Sequence, residues 1–165
     1  MGEDNERKSN MTKQAKILIV EDDVDLNSAY NTILSSAGYQ VSSAHNGEEA
    51  LQEIEKNGDP HIMFLDLRMP VMDGIEFLEK YQAPKHKDTT IIVFSNYDAQ
   101  KEVDKAYDLG AHRYVLKARA SPRELIRITK DTLSEEDKSS LRSRKLSSPR
   151  NCSRRCLSIV YTEPA

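Results

Sequence analysis

Five short apolar runs alternate along the chain with five stretches in which apolar residues recur at helical spacing. The runs are Ile17 to Val20, Gln40 to Ala44, Ile62 to Leu65, Ile91 to Phe94 and Tyr114 to Leu116. Strands separated by helices build a parallel sheet wrapped by those helices, so the pattern predicts an α/β fold. Four runs are almost continuously apolar, as strands covered on both faces must be. The run Gln40 to Ala44 carries Gln40, Ser42 and Ser43, and this polarity assigns it to an edge of the sheet.

The helical stretches have legible ends. Leu26, Tyr30, Ile33, Leu34 and Ala37 share one face, and Gly38 stands where a C-terminal cap belongs. Asn46 or Gly47 opens a second helix with Ala50, Leu51 and Ile54 turned inward, and Asp73-Gly74 opens a third with Ile75, Leu78 and Tyr81. A fourth lies around Val103, Ala106 and Tyr107 and ends at Gly110. Ser121-Pro122 starts the fifth, a cap followed by the favoured first-turn proline, and Leu125, Ile126, Thr129 and Leu133 continue it. The periodic pattern stops after Leu133. Residues 1–15 are read as a flexible leader, 16–133 as one domain, and 134–165 as a disordered, basic Ser/Arg-rich tail.

Charge sharpens this division. The formal net charge of the 165 residues is only -3, but residues 16–133 hold 20 acids and 14 bases, while 134–165 hold 4 acids and 7 bases. An acidic body carries a basic tail. The only two cysteines, Cys152 and Cys156, lie in the tail, so the body depends on packing and not on disulfides. No apolar run approaches the ~18 residues that span a bilayer, and the polar start lacks the apolar core of a signal peptide. A cytoplasmic protein without membrane insertion is therefore expected.

In an open parallel sheet, ligands bind beyond the carboxyl ends of the strands where strand order reverses. Glu21-Asp22-Asp23 follows the first run, Asp66 the third, Ser95-Asn96 the fourth and Lys117 the fifth. Carboxylates gathered on one rim repel one another, and a hard cation such as Mg²⁺ relieves the repulsion. A lysine and a hydroxyl facing the metal would hold the oxygens of a phosphoryl group, and an aspartate at the centre can act as its acceptor. Asp66, on the middle strand, is best placed for that role.

The strings ILIVEDD, FLDLRMPVMDG, IIVFSN and GAHRYVLK, in this order and spacing, resemble the receiver domain of two-component response regulators. The resemblance covers residues 16 to about 133 and implies a flavodoxin-like doubly wound sheet of five parallel strands, order 2-1-3-4-5, with five helices. It implies that Asp66 is the phosphoacceptor, Asp22 a direct Mg²⁺ ligand, Glu21 a water-mediated or outer ligand, and Arg68 a ligand through its backbone carbonyl. Ser95 and Lys117 match the switch hydroxyl and the phosphate-pairing lysine, and Tyr114 the aromatic that turns inward on activation. The implied donor is a sensor histidine kinase or a histidine phosphotransfer protein, and the implied output is contact with a downstream protein. Beyond its own phosphorylation and slow dephosphorylation, no enzymatic activity is expected.

Two positions depart from the family pattern. Ala118 follows Lys117 where proline is common, so this peptide bond is expected to be trans. Asn96 replaces a smaller residue and narrows the approach of the donor. Arg68 and Tyr97, each two residues past a site residue, flank the path of attacking water and are expected to slow hydrolysis.

Other functions fit less well. A phosphatase of the haloacid-dehalogenase type needs a second aspartate where Arg68 stands, and a flavin or nucleotide module needs glycines where Glu21 to Asp23 stand. A receiver that binds partners without phosphorylation is the remaining rival. His45, His61, His86 and His112 share no ligand spacing, and Cys152 and Cys156 lack two further zinc ligands. The six bases between Arg142 and Arg155 allow weak non-specific attraction to nucleic acid, but without stacking aromatics or a helix-turn-helix no nucleic-acid partner is expected. The 32 residues after 133 are also too few for a DNA-binding output, which points to a stand-alone receiver.

Overall fold

A computed structural model describes residues 15–96 and 100–144. Within them run β1 (Lys16–Val20), α1 (Val24–Ser36), β2 (Gln40–Ala44), α2 (Gly47–Asn57), β3 (Ile62–Leu65), α3 (Gly74–Tyr81), β4 (Thr90–Ser95), α4 (Gln100–Asp108), β5 (Arg113–Leu116) and α5 (Pro122–Arg144). All five strands are parallel in the order β2-β1-β3-β4-β5, so the more polar β2 does occupy an edge.

The near-continuous apolar runs follow from this topology. Successive side chains on a strand point to opposite faces, and both faces are covered. Leu18, Val20, Met63, Leu65, Ile91 and Val93 pack with Ala50, Phe77, Leu78 and Ala106 of α2, α3 and α4. Ile17, Ile19, Ile62, Phe64, Ile92 and Phe94 pack on the other face with Tyr30, Leu34, Leu125 and Ile128 of α1 and α5. On that second face Phe94 meets Tyr30 and Phe64 edge-on, with ring centroids 5.7 and 5.4 Å apart.

Side-chain caps fix where the helices begin. Asp23, Asn46 and Asp73 accept the backbone N–H groups of Leu26, Glu49 and Glu76 at 3.0, 2.9 and 2.8 Å. Glu49 also accepts from the N–H of His45, the residue before the cap, at 2.8 Å, which ties the start of α2 to the end of β2. Ser121 caps α5 through the N–H of Glu124. Gly38, with φ 95, takes the left-handed conformation that ends α1.

Three details differ from the sequence reading. Of the apolar residues around which the fourth helix was placed, Tyr107 is exposed, and Ala106 alone is buried in α4. Leu78 and Tyr81 of α3 are buried as expected, but so is Phe77, which the sequence reading left out, because the helix presents a broad face to the sheet. Finally, α5 continues past Leu133 to Arg144. Lengthening an existing helix avoids the cost of nucleation, and glutamate, lysine, leucine and arginine are good helix formers. Residues 1–14 of the expected leader, residues 145–165 of the expected tail with both cysteines, and Tyr97 lie outside the described residues.

Candidate functional site

The carboxyl ends of β1 and β3 lie side by side, since Val20 pairs with Leu65 and the N–H of Asp66 donates to the carbonyl of Val20 at 2.9 Å. The next residue on each strand is therefore Glu21 or Asp66. β1 connects outward to β2 and β3 connects the other way to β4, so this is where strand order reverses. The sheet thus delivers both acids to the expected crevice.

Glu21, Asp22 and Asp66 each offer a carboxylate oxygen, and these oxygens lie within 4.8 Å of one another. Glu21 and Asp66 are buried, while Asp22 is exposed. Lys117 enters from the end of β5 and bridges the two buried acids. Its Nζ donates to Glu21 Oε2 at 2.5 Å and to Asp66 Oδ2 at 2.6 Å. The other Asp66 oxygen, Oδ1, accepts the backbone N–H of Arg68 at 3.2 Å.

Burial pushes the Glu21 carboxyl up from its ordinary range, and its contact with Lys117 only partly opposes this. For Lys117, burial acts downward, but the carboxylates of Asp66 and Glu21 outweigh it and hold the ammonium above its ordinary value. Lys117 is thus a permanent cation in this site. One ammonium does not balance three carboxylates, and the remaining charge with its oxygen-only donor set fits a hard metal ion.

Ser95 ends β4 on the same rim and is buried. Tyr114 sits on β5 opposite Val93, two residues short of that rim, and packs partly buried against the α2/α3 core. Asn96 is exposed. The 117–118 peptide is trans, since the described residues contain no cis bond, and Lys117 begins a short 3-10 turn, Lys117–Arg119. The missing proline therefore does not keep Lys117 from Asp66. The Arg68 side chain turns away to Glu102 on α4, at 2.8 Å.

Two supporting residues escaped the sequence reading. Asn27, buried on α1, donates through Nδ2 to the carbonyls of Glu21 and Ala44, each at 3.0 Å, and so fastens the acidic loop to the end of β2. Its only sequence signal is an amide three residues before Tyr30 on the inward face. Gly74 lies against the backbone of Asp66, where a Cβ would come within 2.3 Å of the Asp66 carbonyl oxygen. Glycine is needed there for closeness and not for backbone freedom.

The family model described as "Response regulator receiver domain" matches residues 17–130. Among curated relatives, the "Probable transcriptional regulator ycf27" of Porphyridium aerugineum is 34% identical over 78% of this chain and 52% of its own length. The "Chemotaxis protein CheY1" of Helicobacter pylori strain J99 is 30% identical over 62% of this chain and 84% of its own length. Among solved structures, a CheY-like receiver domain protein from Methanospirillum hungatei JF-1 superimposes with a TM-score of 0.71 at 30% identity, covering 76% of this chain and 98% of that one. The chain belongs to the response regulator receiver domain family, the phosphoacceptor modules of two-component signalling. It spans about half the length of the ycf27 relatives it matches.

Proposed function

We propose that Asp66 accepts a phosphoryl group from a phosphohistidine on a sensor histidine kinase or a histidine phosphotransfer protein, and that the chain passes the signal on by protein contact. The observation that carries this reading is the Lys117 bridge to Glu21 and Asp66, at 2.5 and 2.6 Å, beside a third carboxylate. Asp22, Asp66 and the backbone carbonyl of Arg68 would hold Mg²⁺ directly, with Glu21 outside them. When bound, the ion neutralises charge on the carboxylates and on the incoming phosphoryl oxygens.

The protein's part is positioning. An Asp66 oxygen attacks phosphorus as the phosphorus–nitrogen bond to the donor imidazole breaks, and the imidazole keeps the bonding pair and takes a proton. Lys117 exchanges a carboxylate oxygen for a phosphoryl oxygen, a charge-assisted hydrogen bond of the stronger kind. Ser95 donates to another phosphoryl oxygen, and Tyr114 packs into the space that Ser95 leaves. This changes the α4–β5–α5 surface offered to a downstream protein, a shift between two states. Slow hydrolysis of the acyl phosphate, with Arg68 the described residue placed to tune it, is the only other catalysis in the reading. Among the described residues no helix is long and apolar enough to cross a membrane.

The test is incubation with acetyl phosphate or beryllofluoride, with and without Mg²⁺, followed by intact mass. A Mg²⁺-dependent adduct is expected on the wild type and none on Asp66→Asn. Its absence from the wild type would sink the reading.

A further inference from the structure

The acidic cluster depends on a turn whose middle residue is Asp22. Glu21 Oε1 accepts the N–H of Asp23 across that turn at 3.4 Å, and Asp23 Oδ1 accepts the N–H of Leu26 at 3.0 Å as the cap of α1. Asp22 itself is exposed, so its place is set by the backbone on either side of it. Asn27 holds both sides. Its backbone N–H donates to the carbonyl of Asp23 at 2.8 Å, and its Nδ2 donates to the carbonyl of Glu21 at 3.0 Å.

The same amide nitrogen also donates to the carbonyl of Ala44 at the end of β2, again at 3.0 Å. That carbonyl already accepts the N–H of Glu21 at 3.1 Å, so it needs no second donor for its own sake. Asn27 is 2% exposed, and taking an amide out of water costs free energy that its hydrogen bonds largely offset. An apolar side chain of the same branched shape would fill the place without that cost. Packing is thus a poor account of the amide. What the amide does achieve is to tie the peptide between Glu21 and Asp22 to a strand end that the sheet already holds.

That tie matters for a cation. A ligand group ordered in advance spares the ion the cost of ordering it, and losing a partner that orients metal ligands from outside typically weakens metal affinity roughly 10- to 100-fold. We propose that Asn27 is a positioning residue for Asp22: by fixing the peptide that precedes Asp22, its amide sets the affinity of the acidic cluster for Mg²⁺. The amide nitrogen is committed to two carbonyls, so it acts through the turn and not on the ion. The inference rests on the cluster holding Mg²⁺, as read above.

The experiment titrates the full chain with Mg²⁺ alone by calorimetry, and follows adduct formation from acetyl phosphate by intact mass across a range of Mg²⁺ concentrations. Asn27→Leu keeps the branched shape and removes the donor. It is expected to weaken Mg²⁺ binding roughly tenfold, to slow adduct formation where Mg²⁺ is limiting, and to match the wild type at saturating Mg²⁺. Asn27→Ser, which keeps one donor, is expected to fall between the two and serves should the leucine variant misfold. A purely structural Asn27 would lower the urea midpoint and leave the Mg²⁺ affinity of the folded protein unchanged. That unchanged affinity overturns the inference, as does a slower reaction that persists at saturating Mg²⁺. A wild type that binds no Mg²⁺ instead overturns the metal reading on which the inference rests.

Discussion

Val71 is a β-branched residue in a left-handed conformation, with φ 69, at the centre of a three-residue turn closed by the N–H of Met72 and the carbonyl of Pro70 at 2.8 Å. This backbone costs a non-glycine residue on the order of 1–3 kcal/mol. The side chain is 75% exposed, so deleting it loses almost no packing. Val71→Gly is therefore expected to stabilise the fold by about 1 kcal/mol, after allowing for the greater freedom of glycine in the unfolded chain. Urea unfolding checks this as a higher midpoint at unchanged slope, and a lower midpoint would mean that the strain is absent. At this scale the sequence was readable where chemistry sits at a strand end. Glu21, Asp22, Asp66 and Lys117 each follow an apolar run, and the sheet gathers them. Asn27 could not be read in the same way, because its role comes from partners that only the assembled fold brings near.

The strands begin with a device that no periodicity announces. His61 precedes β3 and His112 precedes β5. Each donates its backbone N–H to a neighbouring strand, to the carbonyls of Lys16 and Ile91 at 2.9 and 2.8 Å. Each then accepts the return N–H at its own Nδ1, from Lys16 at 3.0 Å and from Ile91 at 3.1 Å. The imidazole thus stands in for a backbone carbonyl and adds a rung to the ladder, which requires a neutral ring. Burial lowers the folded-state pKa of His112 below its ordinary value. Below about pH 6.5, where an unfolded histidine protonates, the unfolded chain takes up more protons than the folded one, and stability falls as pH falls. Above that pH the contribution is complete. His112→Asn keeps an acceptor near the same place without titrating, and is expected to flatten the loss of stability between pH 7.5 and 5.5 in urea unfolding. An unaltered pH profile would show that His112 does not couple to folding. At the element scale the strands and helix starts were legible from alternation and caps. The far end of α5 was not, because after Leu133 the sequence carries no apolar period to mark where the helix stops.

The α/β fold and the parallel sheet were readable at the scale of the whole molecule, because a sheet buried on both faces leaves nearly uninterrupted apolar runs, whereas the strand order came from the resemblance to receiver domains. The acidity of the body has a local centre in Glu21, Asp22 and Asp66. A ligand that binds only the folded state stabilises it in proportion to the logarithm of its concentration. Millimolar Mg²⁺, without any phosphoryl donor, is therefore expected to raise Tm by roughly 3 to 8 °C for a domain of this size. Asp22→Asn, at an exposed position, is expected to remove most of the rise. Calorimetry checks both, and an equal rise in the variant would place the ion elsewhere.

Lys117, clasped between Glu21 and Asp66, also imposes a schedule. Three carboxyl groups against one ammonium leave an acidic surplus in the pocket, while the incoming phosphoryl group is itself anionic. Under the proposed chemistry donor and pocket repel until a divalent ion has cancelled that surplus, and Lys117 has no reason to leave its carboxylates before then. Under that chemistry Asp22, Asp66 and the Arg68 carbonyl would hold the ion before the donor docks, and the chain would answer its donor only where the ion is on hand.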